Sequence, residues 1–178
     1  MLELIADKEN LWCSNGFAAA PMFDFKELNK DQAFALFNLD EKERKKTTFV
    51  TSKAAEGKFD DICKTEELLE PALCEIKWQG YDLTVLPSTK GLILLRTAHY
   101  NLFLKEDSQS RFFVRWDQTE DGSVPTVAVK SGLMLKGLLA PVTWVFKDEK
   151  FIGMLEEIFG QAKKAKSEQL CADLIEGV

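Results

Sequence analysis

The chain has 178 residues, of which 46% are hydrophobic and 29% are charged, and its formal net charge is −6. This composition is typical of a folded globular chain, and the acidic balance argues against non-specific binding to duplex DNA. No apolar run approaches the ~20 residues of a membrane-spanning helix, and residues 1–10 lack the pattern of a signal peptide. We therefore predict a cytoplasmic protein without a membrane segment and with a single domain over residues 1–178.

The acidic charge lies mainly in the first part of the chain, residues 1–71, which carry a net charge of −5. Residues 72–150 carry a net charge of +1, and residues 151–178 carry −2. The middle part is therefore neutral to slightly basic. The acidic charge of the whole chain does not exclude a groove in this part that binds a single strand of nucleic acid.

The first 71 residues predict a mainly helical or extended region. Asn15–Gly16 is a turn signal, and a helical pattern that either Asn29 or Asp31 can cap follows later. The basic run 44–46 fits the solvated end of a helix, where cations complement the helix dipole. Residues 58–70 predict a second helical segment, which Pro71 ends.

Short apolar and β-branched runs, separated by turn residues, recur over residues 73–147. Short connections favour antiparallel neighbours, so this part predicts an antiparallel β-meander of about five to seven strands. Residues 133–140 fit either a strand or a helix. The predicted strands are 73–78, 81–86, 91–97, 99–105, 111–117, 124–130 and 142–147.

Residues 148–176 predict a long amphipathic C-terminal helix. Ile152, Leu155 and Phe159 lie at helical spacing, and charged residues lie between them. The predicted fold class is therefore α+β, with N-terminal helices, an antiparallel sheet over residues 72–147 and this long helix at the end.

The sequence excludes several common chemistries. Its single histidine, His99, excludes sites that need two or more histidine ligands. The glycine-rich nucleotide-binding motifs and the G-x-S-x-G motif of many hydrolases are missing. The four cysteines form no C-x-x-C pair, so we interpret them as buried apolar residues. We therefore predict no catalytic residue, no metal and no cofactor.

The stretch Ala72–Trp78 contains the Glu-x-Lys pattern that some Mg²⁺-dependent nucleases use. Glu75 and Lys77 would share one face of a strand, and Asp60 or Asp61 would supply a second acid. The segment around Asp60 reads as helical, whereas that chemistry needs a strand there. We therefore interpret Glu75 and Lys77 as the solvent face of an ordinary strand, with a Mg-dependent nuclease as the third hypothesis.

The predicted hairpin of strands 99–105 and 111–117 has one face that is rich in aromatic and basic side chains. In the simplest register, Phe103 lies opposite Phe113. Aromatic rings stack on bases and cations neutralise phosphates, so this face predicts a platform for single-stranded nucleic acid. The predicted binding residues are His99, Asn101, Phe103, Lys105, Arg111, Phe113 and Arg115.

The other face of this hairpin predicts core, because side chains alternate along a strand. Its first strand contributes Tyr100, Leu102 and Leu104 to that face, and its second strand contributes Phe112, Val114 and Trp116. The alternative is that the C-terminal helix covers the aromatic face, in which case Phe103 and Phe113 are also core.

These patterns favour a non-enzymatic binding protein whose ligand is single-stranded DNA or RNA. The second hypothesis is a protein–protein interaction module: an adaptor, an inhibitor or an assembly subunit, including a homo-oligomer. Its acidic flank would then meet a basic partner. That flank consists of Asp60, Asp61, Glu66, Glu67 and Glu70.

Overall fold

The computed structural model describes residues 1–8, 10–119, 122–143, 148–151, 153–155, 157 and 160. Strands make up 43% of the structure and helices 21%. The strands are β1 (Leu2–Asp7), β2 (Asn10–Ser14), β3 (Ala18–Pro21), β4 (Phe49–Lys53), β5 (Glu67–Leu68), β6 (Cys74–Trp78), β7 (Tyr81–Ser88), β8 (Gly91–Arg96), β9 (Arg111–Thr119), β10 (Gly122–Ser131) and β11 (Met134–Leu139). The helices are α1 (Lys30–Leu36), α2 (Glu41–Lys46) and α3 (Thr97–Glu106).

The described strands form two sheets. The large sheet has the order β4-β1-β2-β3-β11-β10-β9-β5, and the small sheet has the order β6-β7-β8. Neighbouring strands are antiparallel except for β1 and β4, which run parallel. A parallel pair needs a long crossover connection, and α1 and α2 lie within the one that joins β1 to β4. The large sheet therefore ends at β4 on one side and at β5 on the other.

The small sheet packs on one face of the large sheet, which we call the inner face. Because side chains alternate along β9, Phe112 and Val114 lie on the inner face and Phe113 lies on the opposite, outer face. Trp116 also packs against the inner core, so the prediction that these three residues share a core face is confirmed. The buried residues of this core are Leu69, Leu86, Ile93, Leu95, Phe103, Phe112, Val114, Val127, Val129 and Leu139.

The part of the inner face formed by β1 and β2 is covered by α1. Phe34 of α1 is buried there with Leu4 and Leu11. The outer face is partly covered by residues 54–66, where the ring of Phe59 lies 4.4 Å from that of Trp12. Each face of the large sheet therefore has its own apolar cover.

Helix α3 packs on the inner face through Phe103, which is 4% exposed. Its ring occupies the space above Gly137 of β11, where an added Cβ would lie 2.3 Å from the Phe103 Cζ atom. The strand predicted over 99–105 is wrong, because these residues belong to α3, and Leu102, which we predicted as core, is 49% exposed. Tyr100, Phe103 and Leu104 meet the core together because they have the i, i+3, i+4 spacing of a helix.

The predicted α+β class with a single antiparallel meander is also wrong, because the chain is mostly β and forms a large mixed sheet. Five of the predicted strands correspond to β6, β7, β8, β9 and β10, and the ambiguous residues 133–140 contain β11. These strands divide between two sheets. The large sheet is completed by β1, β2, β3 and β4, which lie where we predicted helical or extended chain.

The predicted long C-terminal helix over 148–176 is wrong, because the described residues form no long helix there. The helical residues in this part of the described chain are 149–151, 153–155, 157 and 160, and Phe151 and Leu155 pack on the small sheet. Ile152 and Phe159, on which the prediction also rested, lie outside the described residues. Residues 161–178 lie outside the described residues. Of the predicted strand 142–147, residues 142 and 143 are not in a strand, and the others lie outside the described residues.

The N-terminal prediction is correct for a helix that starts after Asn29 and for the basic run 44–46, which forms the exposed last turn of α2. Asn29, and not Asp31, caps α1 by accepting a hydrogen bond from Gln32 N. Residues 58–70 are irregular chain and β5 rather than a helix. Among the described helices, none has the length and apolar character needed to cross a membrane.

Candidate functional site

The predicted aromatic platform does not form, because its two phenylalanines lie on opposite faces of the large sheet. Phe103 is buried on the inner face. Phe113 packs on the outer face, where the Nζ atom of Lys130 lies 5.0 Å from its ring centroid. Two rings separated by a sheet cannot stack on one ligand.

Three other predicted binding residues are also dispersed. Asn101 and Lys105 lie on α3, where Asn101 is half-buried and Lys105 is exposed. Arg111 is exposed at the start of β9. The replacement of the predicted strand by a helix is the reason, since a helix turns these side chains in different directions.

Arg115 is a structural anchor, and only 4% of it is exposed. Its Nη2 atom donates to Glu66 Oε2 at 3.1 Å, and its guanidinium also donates to two backbone carbonyl oxygens within residues 58–60. Lys130, also 4% exposed, donates to the other carboxylate oxygen of Glu66. These bonds hold residues 58–66 on the outer face, so neither Arg115 nor Glu66 is available to a partner.

The residues of the nuclease hypothesis are also apart. Glu75 and Lys77 are exposed on β6, as predicted for a solvent face, and Lys77 Nζ lies 3.6 Å from Asp82. Asp60 and Asp61 lie on the outer face of the large sheet, whereas β6 belongs to the layer on the inner face. Within the described residues, no group of three or more potential metal ligands comes together.

The strand β4 leaves one edge of the large sheet open. Its pairing with β1 is bounded by two hydrogen bonds, from Leu2 N to Thr48 O at 2.8 Å and from Ala54 N to Ala6 O at 2.9 Å. In a parallel ladder, alternate residues of a strand bond to the same neighbour. These two bonds therefore decide which residues of β4 face β1.

By this alternation, Val50 and Ser52 direct their backbone groups at β1. Phe49, Thr51 and Lys53 direct their N–H and C=O groups away from the sheet. Within the described part of the chain, no hydrogen bond reaches these six groups. The edge therefore presents a row of free donors and acceptors over five residues.

Local sequence explains why β4 forms at this place. The capping box of Asp40 and Glu43 starts α2, and the chain becomes extended at its C-cap, Thr47. The β-branched residues that follow favour a strand. Phe49 anchors the strand to the core, because its ring meets that of Phe34 edge-on with centroids 5.9 Å apart.

Three other edge strands in the described chain differ from β4 in length, cover or charge. β5 has only two residues, and its Glu67 carboxylate accepts hydrogen bonds from Thr89 N and Oγ1 at 2.6 and 2.7 Å. The outer edge of β8 receives a bond from Val142 N to Leu94 O at 2.8 Å. β6 carries one exposed acid and one exposed base.

Two cavities flank β4, one on each face of the large sheet. The cleft on the outer face has a volume of about 480 Å³, and its lining includes Ile5, Ser52, Lys53 and Phe59. The cavity on the inner face has a volume of about 550 Å³, and its lining includes Leu4, Leu28 and Thr51. Thr51 borders the inner cavity, Lys53 borders the outer cleft, and Ser52 borders both.

The segment that contains α2 and β4 is basic although the chain is acidic. Residues 41–53 carry a net charge of +3. Lys42, Lys45 and Lys46 are exposed on α2, and Lys53 is exposed at the end of β4. None of them forms an ion pair within the described chain.

A separate group of residues surrounds Arg96, and we call it the Arg96 cluster. The guanidinium carbon lies 3.8 Å from the ring centroid of Phe17 and 5.1 Å from that of Tyr81. The ring of His99 lies 6.2 Å from that of Phe17, and its Nε2 atom lies 3.4 Å from Asn15 Nδ2. Burial, and then the charge of Arg96, lower the pKa of His99 below its ordinary value of 6.5. His99 is the one predicted binding residue in this cluster.

Comparisons with protein families, curated proteins and solved structures find no match for the chain. Function is therefore inferred from its own geometry. Two features of the described chain are considered as binding sites: the β4 edge with its two cavities, and the Arg96 cluster.

Proposed function

We propose that the protein is a protein–protein interaction module that binds an extended segment of its partner by strand addition at β4. The observation that supports this proposal is the open edge, in which three residues direct six backbone groups away from the sheet. A partner strand that bonds to these groups extends the large sheet by one strand. Without such a partner, an exposed edge is a site of non-specific aggregation.

The two cavities supply the specificity of this interaction. In strand addition, main-chain hydrogen bonds give affinity, and pockets for alternate side chains select the sequence. Side chains of the added strand alternate between the two faces of the sheet. One set therefore points toward the cleft beside Ser52, and the other toward the cavity beside Thr51.

The variant Thr51→Pro tests the strand addition directly. Proline removes the N–H at the centre of the open edge, and this N–H makes no bond to β1. Peptides of about ten residues, selected from a random library on the wild-type protein, should bind Thr51→Pro at least ~10-fold more weakly.

The matched control is Thr51→Ala, which removes the side chain but keeps the N–H. It should bind the selected peptides with the same affinity as the wild type, and circular dichroism should show that both variants are folded. Equal binding by Thr51→Pro and the wild type would contradict strand addition at β4.

A reducing, cytoplasmic setting is part of this proposal. Cys13, Cys63 and Cys74 are unpaired thiols. Burial raises the pKa of Cys13 to about 11, so its reactive thiolate form is scarce at neutral pH. Unpaired thiols are the usual state of cysteine in compartments that keep thiols reduced.

A second candidate function is the binding of single-stranded nucleic acid at the Arg96 cluster. The observation that favours it is the stack of Arg96 on Phe17, which is 41% exposed, beside Tyr81, which is 39% exposed. Exposed rings next to a cation are the elements that such proteins use for bases and phosphates.

Fluorescence anisotropy of a labelled oligonucleotide of ~20 residues, at low and high salt, tests this second candidate. Binding should weaken with salt, and Phe17→Ala should weaken it ~10-fold. The control is Phe23→Ala, which removes an exposed ring outside the cluster. Absence of binding at low salt, or an equal loss in the control, would exclude nucleic acid as the ligand of this cluster.

A further inference from the structure

We infer that the segment bound at β4 is acidic, an inference that rests on the proposed strand addition. Charge complementarity supports it, because residues 41–53, which form α2 and the open strand, carry a net charge of +3 in a chain whose net charge is −6. The positive charge is therefore concentrated in the same segment as the free backbone groups of β4.

The cations lie at both ends of the edge. Lys45 and Lys46 end the helix that leads into β4, and Lys53 ends the strand itself. All three are exposed and form no ion pair in the described residues. An extended segment on this edge would therefore pass a lysine as it enters and another as it leaves. Carboxylates near the ends of the segment would meet these lysines.

A second copy of this chain is a poorer occupant of the edge. Two copies joined through β4 would bring a second set of the same lysines to the same strand pair, and like charges across an interface oppose association. Lysines at a sheet edge also serve elsewhere to prevent aggregation. If the lysines only prevented aggregation, the edge would bind no extended peptide, whereas our inference predicts that it binds an acidic one.

Three synthetic peptides distinguish these cases. Each has about ten residues with a Val/Thr-rich centre that favours a strand. Their ends carry Glu and Asp, or Gln and Asn, or Lys. Labelled at one end, they are titrated with the full-length protein and followed by fluorescence anisotropy at low and high salt. Sedimentation velocity on the protein alone measures self-association.

We expect the acidic peptide to bind ~10-fold or more tightly than the neutral peptide, and salt to reduce this preference. Lys45→Gln/Lys46→Gln should remove most of it. The control Lys105→Gln/Lys150→Gln removes the same charge from exposed positions away from β4 and should leave it unchanged. Because these lysines are exposed, both double variants should fold.

The outcomes separate the inference from the proposed function. Equal binding of acidic and neutral peptides, both lost with Thr51→Pro, would overturn the acidic preference and leave strand addition standing. Binding of no peptide, with no effect of Thr51→Pro, would overturn both. A dimer that Thr51→Pro dissociates would make a second copy the occupant and would also overturn the inference.

Discussion

Residues 99–117 and residues 41–53 are both rich in charged side chains, but the structure gives the two regions opposite roles. Residues 99–117 contain the rings and cations that we predicted to bind a ligand, yet Phe103 and Arg115 are each 4% exposed. Residues 41–53 contain the basic run that we predicted to be an ordinary solvated helix end, and they also contain the open strand β4.

The difference lies in what each charge meets. Arg115 and Lys130 share the carboxylate of Glu66 and hold a segment on the outer face. Lys45 and Lys46 meet no acid in the described chain. Variants in the first region should therefore change stability, and variants in the second should change binding.

The largest expected effect is on stability, from Glu66→Ala. The substitution leaves two buried cations without their carboxylate, and breaking a buried pair in this way costs about 3–5 kcal/mol. Urea unfolding followed by fluorescence should show this loss. Glu41→Ala, at an exposed position, is the control and should leave the midpoint near that of the wild type. A small effect of Glu66→Ala would show that the network is not an anchor.

The next effect is expected at the contact between α3 and β11. A Cβ at Gly137 would lie 2.3 Å from Phe103 Cζ, so Gly137→Ala overpacks the core and should destabilise the protein by about 1–3 kcal/mol. Phe103→Leu, which shortens the side chain, should recover part of this loss in the double variant. Strictly additive losses in thermal unfolding would contradict direct contact between these residues.

Much of the β-structure was predictable from the sequence, because short apolar runs between turn residues are a local signal. β6 to β10 were found in this way. The division into two sheets was not, because it depends on contacts between distant residues. The strand predicted at 99–105 shows another limit: Tyr100, Phe103 and Leu104 fit a helix as well as alternation.

The candidate site was missed although its signal is local. The run from Thr47 to Thr51, which is β-branched except for Phe49, predicts a strand, but the sequence gives no sign that its partner is β1, 47 residues earlier. The pairing decides which edge stays open. The buried state of Arg115 was likewise hidden, because Glu66 lies far from it in the chain.

A stability measurement on the second region sharpens the contrast. Lys45→Gln/Lys46→Gln changes exposed side chains without described ion pairs, so the midpoint of urea unfolding should stay at the wild-type value. Binding of an acidic peptide should weaken in the same variant. A marked loss of stability would mean that these lysines support the fold, as Arg115 does.

The smallest expected effect is the pH dependence contributed by His99. Because its pKa in the folded protein is below the ordinary value of 6.5, folding favours the neutral ring. Protonation of His99 as the pH falls below about 6.5 therefore opposes folding. The contribution of the neutral ring to the free energy of unfolding is complete only above that pH. On going from pH 8 to pH 5, the wild type should lose more free energy of unfolding than His99→Gln does. An unchanged difference would contradict the lowered pKa.

Amide hydrogen exchange on β4 tests the central claim most directly. In the free protein, the amides of Val50 and Ser52 should be protected by β1, whereas those of Phe49, Thr51 and Lys53 should exchange rapidly. An acidic strand-forming peptide should slow exchange at these three alternate positions. Protection confined to other strands, or no change on β4 at a saturating peptide concentration, would contradict strand addition at this edge.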